Sequence, residues 1–144
     1  MAKLTEIAPG LYAAAQVDRA AIAEIAASGA KTLVNNRPDG EEPGQMTAAE
    51  ARAEAERLGL AYVHIPVTAS SIAPADVAAM QAALASAASP VVMHCRSGTR
   101  STLLWAAGEA LAGRADAADL VADAAARGFQ IASLPDLVAR LRQG

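Results

Sequence analysis

The sequence predicts an α/β protein with a mainly parallel central sheet and helices on both of its faces. Short runs of β-branched residues alternate along the chain with longer amphipathic stretches, which is typical of successive strand and helix units. Hydrophobic residues make up 53% of the chain but aromatic residues only 3%, so Ala, Leu, Val and Ile must build the core. A length of 144 residues favours a single domain over residues 1–144, without an internal repeat or linker.

Apolar runs and their flanking residues predict five elements in the first half of the chain. They are a strand or hairpin over residues 4–13, a helix over 19–28, a strand over 31–35, a helix over 47–58 and a strand over 61–65. Asp18 is placed to cap the first helix, and Thr47 with Glu50 matches a capping box for the second. A polar loop over residues 36–44 lies between them, and Pro66 stops the last strand.

The second half of the chain is predicted to hold one more strand and four helices. They are a helix over residues 74–86, a strand over 90–93, and helices over about 101–111, 116–127 and 134–141. Asp76 suits the first turn of its helix, where the helix dipole favours a carboxylate, and Asp116 is the expected N-cap of the fifth helix. In such sheets ligands bind beyond the carboxyl ends of the strands, where Arg37, Pro66 and Cys95 are expected to emerge.

Charge and composition exclude several classes of function. A net charge of -3 and a pI of about 5.3 provide no basic field for nucleic acid. The amino terminus lacks the apolar core of a signal peptide and the Ala-rich stretches are interrupted by charges, so we expect a soluble cytoplasmic protein without a membrane segment. One cysteine excludes an internal disulfide and suits a reducing compartment. Two histidines and one cysteine, scattered in sequence, predict neither a metal site nor a cofactor.

The most informative segment contains the only cysteine, and it reads His94-Cys95-Arg96-Ser97-Gly98-Thr99-Arg100-Ser101. Cys95 falls at a strand-to-helix turn, where backbone N–H groups and the helix N-terminus favour both a bound anion and a thiolate. Gly98 supplies the backbone freedom of a tight loop, and Arg100 can fork onto two oxygens of a tetrahedral group. A lone cysteine after an apolar strand is ordinarily a small buried hydrophobe, but this polar surrounding favours a nucleophile.

The neighbours of Cys95 and Arg100 have two interpretations each. Arg96 either adds charge for an anionic ligand or is solvated, and Ser97 and Thr99 either contact substrate or brace the loop. Ser101 either hydrogen-bonds the thiolate or caps the helix.

Three residues outside the loop also need an interpretation. Arg37 either contacts the ligand or belongs, with the acidic residues 39–42, to a solvated turn. His94 is expected to point away from the nucleophile, and His64 to be packed.

The Cys95 loop resembles two families of cysteine enzymes. It is similar to the signature loop of cysteine-dependent protein phosphatases, but it places four residues between Cys95 and Arg100 where those enzymes place five. Four is the spacing of rhodanese sulfurtransferases.

Over nearly its full length the chain resembles the bacterial beta-lactamase-hydrolase-like family, on the segments Asn35-Asn36-Arg37-Pro38-Asp39-Gly40-Glu41, His64-Ile65-Pro66-Val67 and the Cys95 loop. This resemblance implies a three-layer protein-tyrosine-phosphatase-like fold with a rhodanese-like active loop, and sulfur transferase activity linked to sulfide detoxification.

The chemistry of the leaving group separates the two activities. A phosphatase needs a positioned acid, which in that family is an aspartate after the middle strand, but residues 67–72 contain no carboxylate. We therefore expect a sulfurtransferase that moves sulfane sulfur from thiosulfate or glutathione persulfide to a thiol acceptor through a Cys95 persulfide, with a persulfide dioxygenase as a partner. The alternatives are a cysteine-dependent phosphatase of protein or small phosphate esters, and a non-catalytic module that binds oxyanions or persulfides. Cys95 and Arg100 are the predicted catalytic residues, and the predicted binding residues are Arg37, Arg96, Ser97, Gly98, Thr99 and Ser101.

Overall fold

A five-stranded sheet lies at the centre of the structure, a computed structural model that describes residues 3–143. The strands are β1 (Thr5–Ala8), β2 (Leu11–Ala14), β3 (Thr32–Asn35), β4 (Ala61–His64) and β5 (Val91–His94). The helices are α1 (Arg19–Ala27), α2 (Ala48–Arg57), α3 (Pro74–Ser86), α4 (Thr99–Leu111), α5 (Ala117–Ala126) and α6 (Leu134–Gln143). The predicted alternation of strands and helices is confirmed.

The order of the strands brings three loops to one edge of the sheet. The order is β1-β2-β5-β3-β4, with β1 antiparallel to β2 and all other pairs parallel. Asn35 at the end of β3 pairs with His94 at the end of β5 and with His64 at the end of β4. The loops after β3, β4 and β5 therefore leave the sheet side by side, as the ligand edge of a parallel sheet requires.

Helices cover both faces of the sheet, so the predicted fold class is confirmed. Leu33 and Val92 pack with the buried residues of α1 and α2. Their chain neighbours Val34 and Met93 pack with those of α3, α4, α5 and α6. Because successive side chains of a strand point to opposite faces, these buried strands are apolar on both.

The helix ends agree with most of the sequence signals. Asp18 accepts a hydrogen bond from the backbone N–H of Ala21 at 2.8 Å, and Thr47 with Glu50 forms the predicted capping box. Helix α5 begins after Asp116, whose side chain makes no capping hydrogen bond. Helix α4 begins two residues earlier than predicted, at Thr99. Among residues 3–143, no helix combines the length and apolar character needed to cross a membrane.

Candidate active site

The Cys95 loop leaves the sheet edge between the loops that follow β2 and β3, and the loop after β4 lies on the far side of the loop after β3. The backbone N–H of Asn36 donates to the His94 carbonyl at 2.8 Å, and the N–H of Val67 donates to the Asn36 carbonyl at 3.1 Å. On the other side, the N–H of Gln16 donates to the Arg96 carbonyl at 3.1 Å. These bonds hold the three loops together in the way that the predicted parallel sheet requires.

Cys95 is a buried free thiol whose sulfur faces the backbone of its own loop. The residue is 1% exposed, and the N–H of Gly98 donates to Cys95 Sγ at 3.1 Å. The Gly98 carbonyl in turn accepts from the Thr102 hydroxyl at 2.9 Å, which ties the loop to the first turn of α4. A sulfur that accepts an amide hydrogen at a helix N-terminus lies where negative charge is favoured.

Arg100 lies in the first turn of α4, but its guanidinium pairs with a carboxylate of another loop. Nη1 donates to Glu41 Oε2 at 3.1 Å, and Nη2 donates to Glu41 Oε1 at 3.3 Å. Nη1 also donates to the Val67 carbonyl at 3.0 Å. The guanidinium of Arg100 is therefore fixed by Glu41 of the loop after β3 and by Val67 of the loop after β4.

Two of the predicted binding residues of the loop, Arg96 and Ser97, are exposed. The Arg96 side chain is 69% exposed and lies 3.8 Å from Glu42 Oε2. The Ser97 hydroxyl accepts from the Thr99 N–H at 3.4 Å, which braces the loop. Arg96 is therefore an exposed side chain beside Glu42, and Ser97 braces the loop, while contact of either residue with a ligand stays a prediction.

Ser101 takes neither of the two expected roles. Its hydroxyl donates to Asn36 Oδ1 at 2.7 Å, and the side chain is fully buried. The reason is that α4 already begins at Thr99, so Ser101 points towards the sheet and not into the loop. Asn36 completes this contact by donating to the Ile65 carbonyl at 3.1 Å. Ser101 thus joins α4 to the loops after β3 and β4.

Arg37 lies behind the site and not at its rim. Its side chain is 1% exposed, Nε donates to Glu41 Oε1 at 2.8 Å, and Nη2 lies 3.1 Å from Glu42 Oε1. The segment that was expected as a solvated turn is therefore an ion-pair cluster with a buried arginine. Direct ligand contact by Arg37, one of the two sequence-based interpretations, does not match this burial.

Glu41 is held in its ionised form. Partial burial raises the pKa of this carboxyl, but hydrogen bonds from Arg37 and Arg100 outweigh burial and lower its pKa below the usual range. Glu41 at neutral pH is thus an acceptor of hydrogen bonds and a poor source of protons.

The loop after β4 offers hydroxyl groups and no acid near Cys95. Thr68 and Ser71 bond to each other, with the Thr68 N–H donating to Ser71 Oγ at 2.9 Å. Asp76 Oδ2 accepts from the Ala73 N–H at 2.8 Å, so this carboxylate caps α3. The expected helix-dipole role of Asp76 agrees with that contact.

His94 is buried and neutral at pH 7. Burial, with smaller contributions from the charges of His64 and Arg37, lowers the pKa of His94 from 6.5 to about 4. A hydrogen bond with the Cys95 backbone raises the pKa of His94 but does not outweigh burial. His94 therefore adds no positive charge beside the Cys95 sulfur.

We expect His94 to make the protein less stable as the pH falls from 6.5 to 4. In this window the unfolded chain binds a proton that folded His94 excludes, so the free energy of unfolding decreases by about 1.4 kcal/mol per pH unit. Urea unfolding at several pH values measures the slope. His94→Gln should remove this part of the slope, and an unchanged slope in the variant would contradict the expectation.

Glu41, Glu42 and Asn36 contact the predicted site residues, although the sequence interpretation predicted none of the three as a catalytic or binding residue. All three follow β3, and the sequence placed that strand end beside the Cys95 loop. Glu41 also stands four residues after Arg37. In the described part of the chain, no group of three His, Cys, Asp or Glu residues is arranged to hold a metal ion.

Comparison with known protein families gives a match over residues 3–112. The matching family is described as beta-lactamase hydrolase-like protein, phosphatase-like domain. A beta-lactamase hydrolase-like protein of Agrobacterium fabrum is 40% identical over 107 residues, which are 74% of this chain and 25% of that protein. One of Xylella fastidiosa is 37% identical over 129 residues, which are 90% of this chain and 30% of that protein. The chain thus spans less than a third of the length of these relatives.

Solved structures share the fold. A candidate phosphatase of Neisseria meningitidis superimposes with a TM-score of 0.85 at 32% identity, over 96% of this chain and 97% of that one. Tk-PTP in its active form gives a TM-score of 0.69 at 16% identity, over 95% and 93%. TpbA of P. aeruginosa, in complex with phosphotyrosine, gives 0.59 at 22% identity, over 94% and 90%. The last two likenesses concern the fold alone, which is that of protein-tyrosine-phosphatase-like proteins.

Proposed function

Because the chain belongs to the beta-lactamase hydrolase-like family and carries its phosphatase-like domain, we propose that it is a cysteine enzyme whose Cys95 thiolate attacks a small tetrahedral oxyanion. We propose further that the reaction is transfer of sulfane sulfur from thiosulfate or a persulfide to a thiol. The observation that carries this choice is that the carboxyl groups of Asp76 and Glu41 are both engaged in other contacts. Asp76 caps α3, and Glu41 is held ionised by Arg37 and Arg100.

The basicity of the leaving group decides whether the reaction needs a proton donor. A phosphate ester releases an alkoxide or phenoxide, which leaves quickly only when an acid protonates it. Thiosulfate releases sulfite, a stable and weakly basic anion that needs no proton. A site without a poised acid therefore favours sulfur transfer. The four-residue spacing between Cys95 and Arg100 supports the same choice, because it resembles the rhodanese loop.

The proposed reaction has two steps. The Cys95 thiolate attacks the outer sulfur of thiosulfate, a new S–S bond forms, and the old S–S bond breaks with its electron pair on sulfite. Loop N–H groups and Arg100 hold the oxygen atoms and stabilise the charge that develops on the sulfite. An acceptor thiolate such as that of glutathione then attacks the outer sulfur of the persulfide, and Cys95 leaves as the thiolate. A persulfide dioxygenase is the proposed consumer of the product, and the cytoplasm keeps the cysteine reduced.

Phosphate ester hydrolysis is the second candidate, and the comparisons favour it over sulfur transfer. The family description and the Neisseria meningitidis structure refer to a phosphatase, and none of the relatives named above refers to a sulfurtransferase. With no poised acid, such an activity should be confined to esters with weakly basic leaving groups, such as aryl phosphates.

Parallel assays of one protein preparation separate the candidates. We expect thiosulfate with cyanide or glutathione to give steady turnover, and an aryl phosphate to give much less. Mass spectrometry after thiosulfate treatment should show one added sulfur atom on Cys95. Dominant phosphate release would overturn sulfur transfer in favour of the phosphatase, and an unmodified Cys95 would rule out the persulfide step. Tight oxyanion binding without turnover in either assay would indicate the non-catalytic module.

A further inference from the structure

Two adjacent carboxylates connect the loop after β3 with both arginines of the Cys95 loop. Glu41 bonds to buried Arg37 and to Arg100, at 2.8 Å and at 3.1 and 3.3 Å. Glu42 lies 3.1 Å from Arg37 and 3.8 Å from Arg96. The three guanidinium groups outnumber the two carboxylates, so the cluster keeps one net positive charge for an anion.

The contacts of Arg100 decide which edge of its guanidinium is available to a ligand. Glu41 accepts hydrogen bonds from Nη1 and Nη2 at the end of the guanidinium. The Val67 carbonyl accepts the second hydrogen bond of Nη1. Nε makes no hydrogen bond to any residue from 3 to 143, and one hydrogen of Nη2 also remains. The edge formed by Nε and Nη2 is thus a two-donor fork, which matches two oxygens of a tetrahedral anion.

Glu41 is itself fixed from behind. The buried Arg37 side chain holds its Oε1, and the Arg37 backbone N–H donates to Asn35 Oδ1 at 2.8 Å. The Glu41 N–H donates to Gln45 Oε1 at 3.0 Å, while Gln45 Nε2 donates to the Pro38 carbonyl at 2.8 Å. A carboxylate braced in this way can hold a flexible arginine in one orientation.

We propose that Glu41 is the positioning residue of Arg100, a role that rests on the proposed function because it requires an oxyanion at the Cys95 loop. Glu41 turns the Nε–Nη2 edge towards the ligand, and Arg37 supports Glu41 from the protein interior. The opposite role is that of a competitor, in which the carboxylate occupies Arg100 and must be displaced by the ligand. The two roles predict opposite changes when the carboxylate is removed.

The experiment compares Glu41→Gln with the matched control Glu42→Gln. Both variants remove one negative charge from neighbouring positions of the same loop, but only Glu41 touches Arg100. The first readout is protection of Cys95 from iodoacetamide by inorganic sulfate, which needs no assumption about the reaction catalysed. The second is kcat and KM with thiosulfate. Thermal unfolding verifies that each variant is folded, and Glu41→Asp, which keeps the charge but has a shorter reach, serves as a second variant.

We expect Glu41→Gln to weaken sulfate protection about tenfold and to lower kcat roughly 100-fold, with Glu41→Asp between it and the wild type. Glu42→Gln should lose clearly less than Glu41→Gln in both readouts, because Glu42 contacts Arg37 and exposed Arg96 but does not touch Arg100. Unchanged or stronger protection in Glu41→Gln would overturn the positioning role and leave the proposed function intact. No protection in the wild type would overturn both.

Discussion

Replacing Cys95 with serine is expected to lower kcat by on the order of 10⁴- to 10⁶-fold in whichever of the two reactions the protein catalyses. Both reactions need a thiolate nucleophile, and a serine hydroxyl stays protonated without a base beside it. His94, the adjacent imidazole, is buried among the core residues, and sequence alternation along β5 separates it from the nucleophile. Steady-state assays with thiosulfate and with an aryl phosphate measure the loss.

The Cys95→Ser variant should nevertheless fold normally. A serine oxygen can accept the Gly98 N–H that now donates to Sγ at 3.1 Å, so the loop keeps its internal bond. Retained protein stability and retained sulfate binding are therefore the controls. A residual rate within tenfold of the wild type in the favoured assay would contradict Cys95 as the nucleophile.

Gly98→Ala is expected to lower the free energy of unfolding by about 2 to 4 kcal/mol and to disorganise the Cys95 loop. Gly98 has a φ of +92°, which an L residue adopts only at a cost. An added Cβ would lie 2.8 Å from Phe129 Cε1 and 3.3 Å from the Ala14 carbonyl oxygen. Relief of these contacts shifts the N–H that bonds to Cys95. Chemical denaturation and the rate of thiosulfate turnover measure the two effects.

Gly59→Ala provides the matched control for backbone strain. Gly59 has a φ of +86°, but its added Cβ meets no atom within 4 Å, and it lies beyond the end of α2. Only the conformational cost of about 1 to 2 kcal/mol is expected there, with turnover unchanged. Equal losses of stability in the two variants would show that the contacts of Gly98 with Phe129 and Ala14 are unimportant.

Much of the fold follows from short-range features of the sequence. The capping box of Thr47 and Glu50 and the N-cap at Asp18 were predicted and are confirmed. Strands with apolar residues on both faces, such as β3 with Leu33 and Val34, predicted a sheet covered by helices on both sides. The family and its phosphatase-like fold were likewise recognisable from the Cys95 loop and two other segments. Sulfur transfer as the reaction stays a prediction.

The contacts of the site were much harder to predict. Arg37 and residues 39–42 had the composition of a solvated turn, and Ser101 had the position of a cap or thiolate donor. Burial of Arg37 and the bond from Ser101 to Asn36 arise only when the loop after β3 packs against α4. Local sequence patterns do not predict such packing, because turn residues are ordinarily exposed unless a distant segment of the chain covers them.

The sequence by itself determined the strands, the helix caps and the loop that carries Cys95, because each depends on interactions between residues a few positions apart. The tertiary structure decided which groups accept hydrogen bonds from Arg100 and which edge of its guanidinium remains available to a ligand. Glu41 and Arg100 are 59 residues apart, and Asn36 and Ser101 are 65 residues apart. Such pairs meet only because parallel strands bring their carboxyl ends to one edge of the sheet, where charge and hydrogen bonding then select the partners.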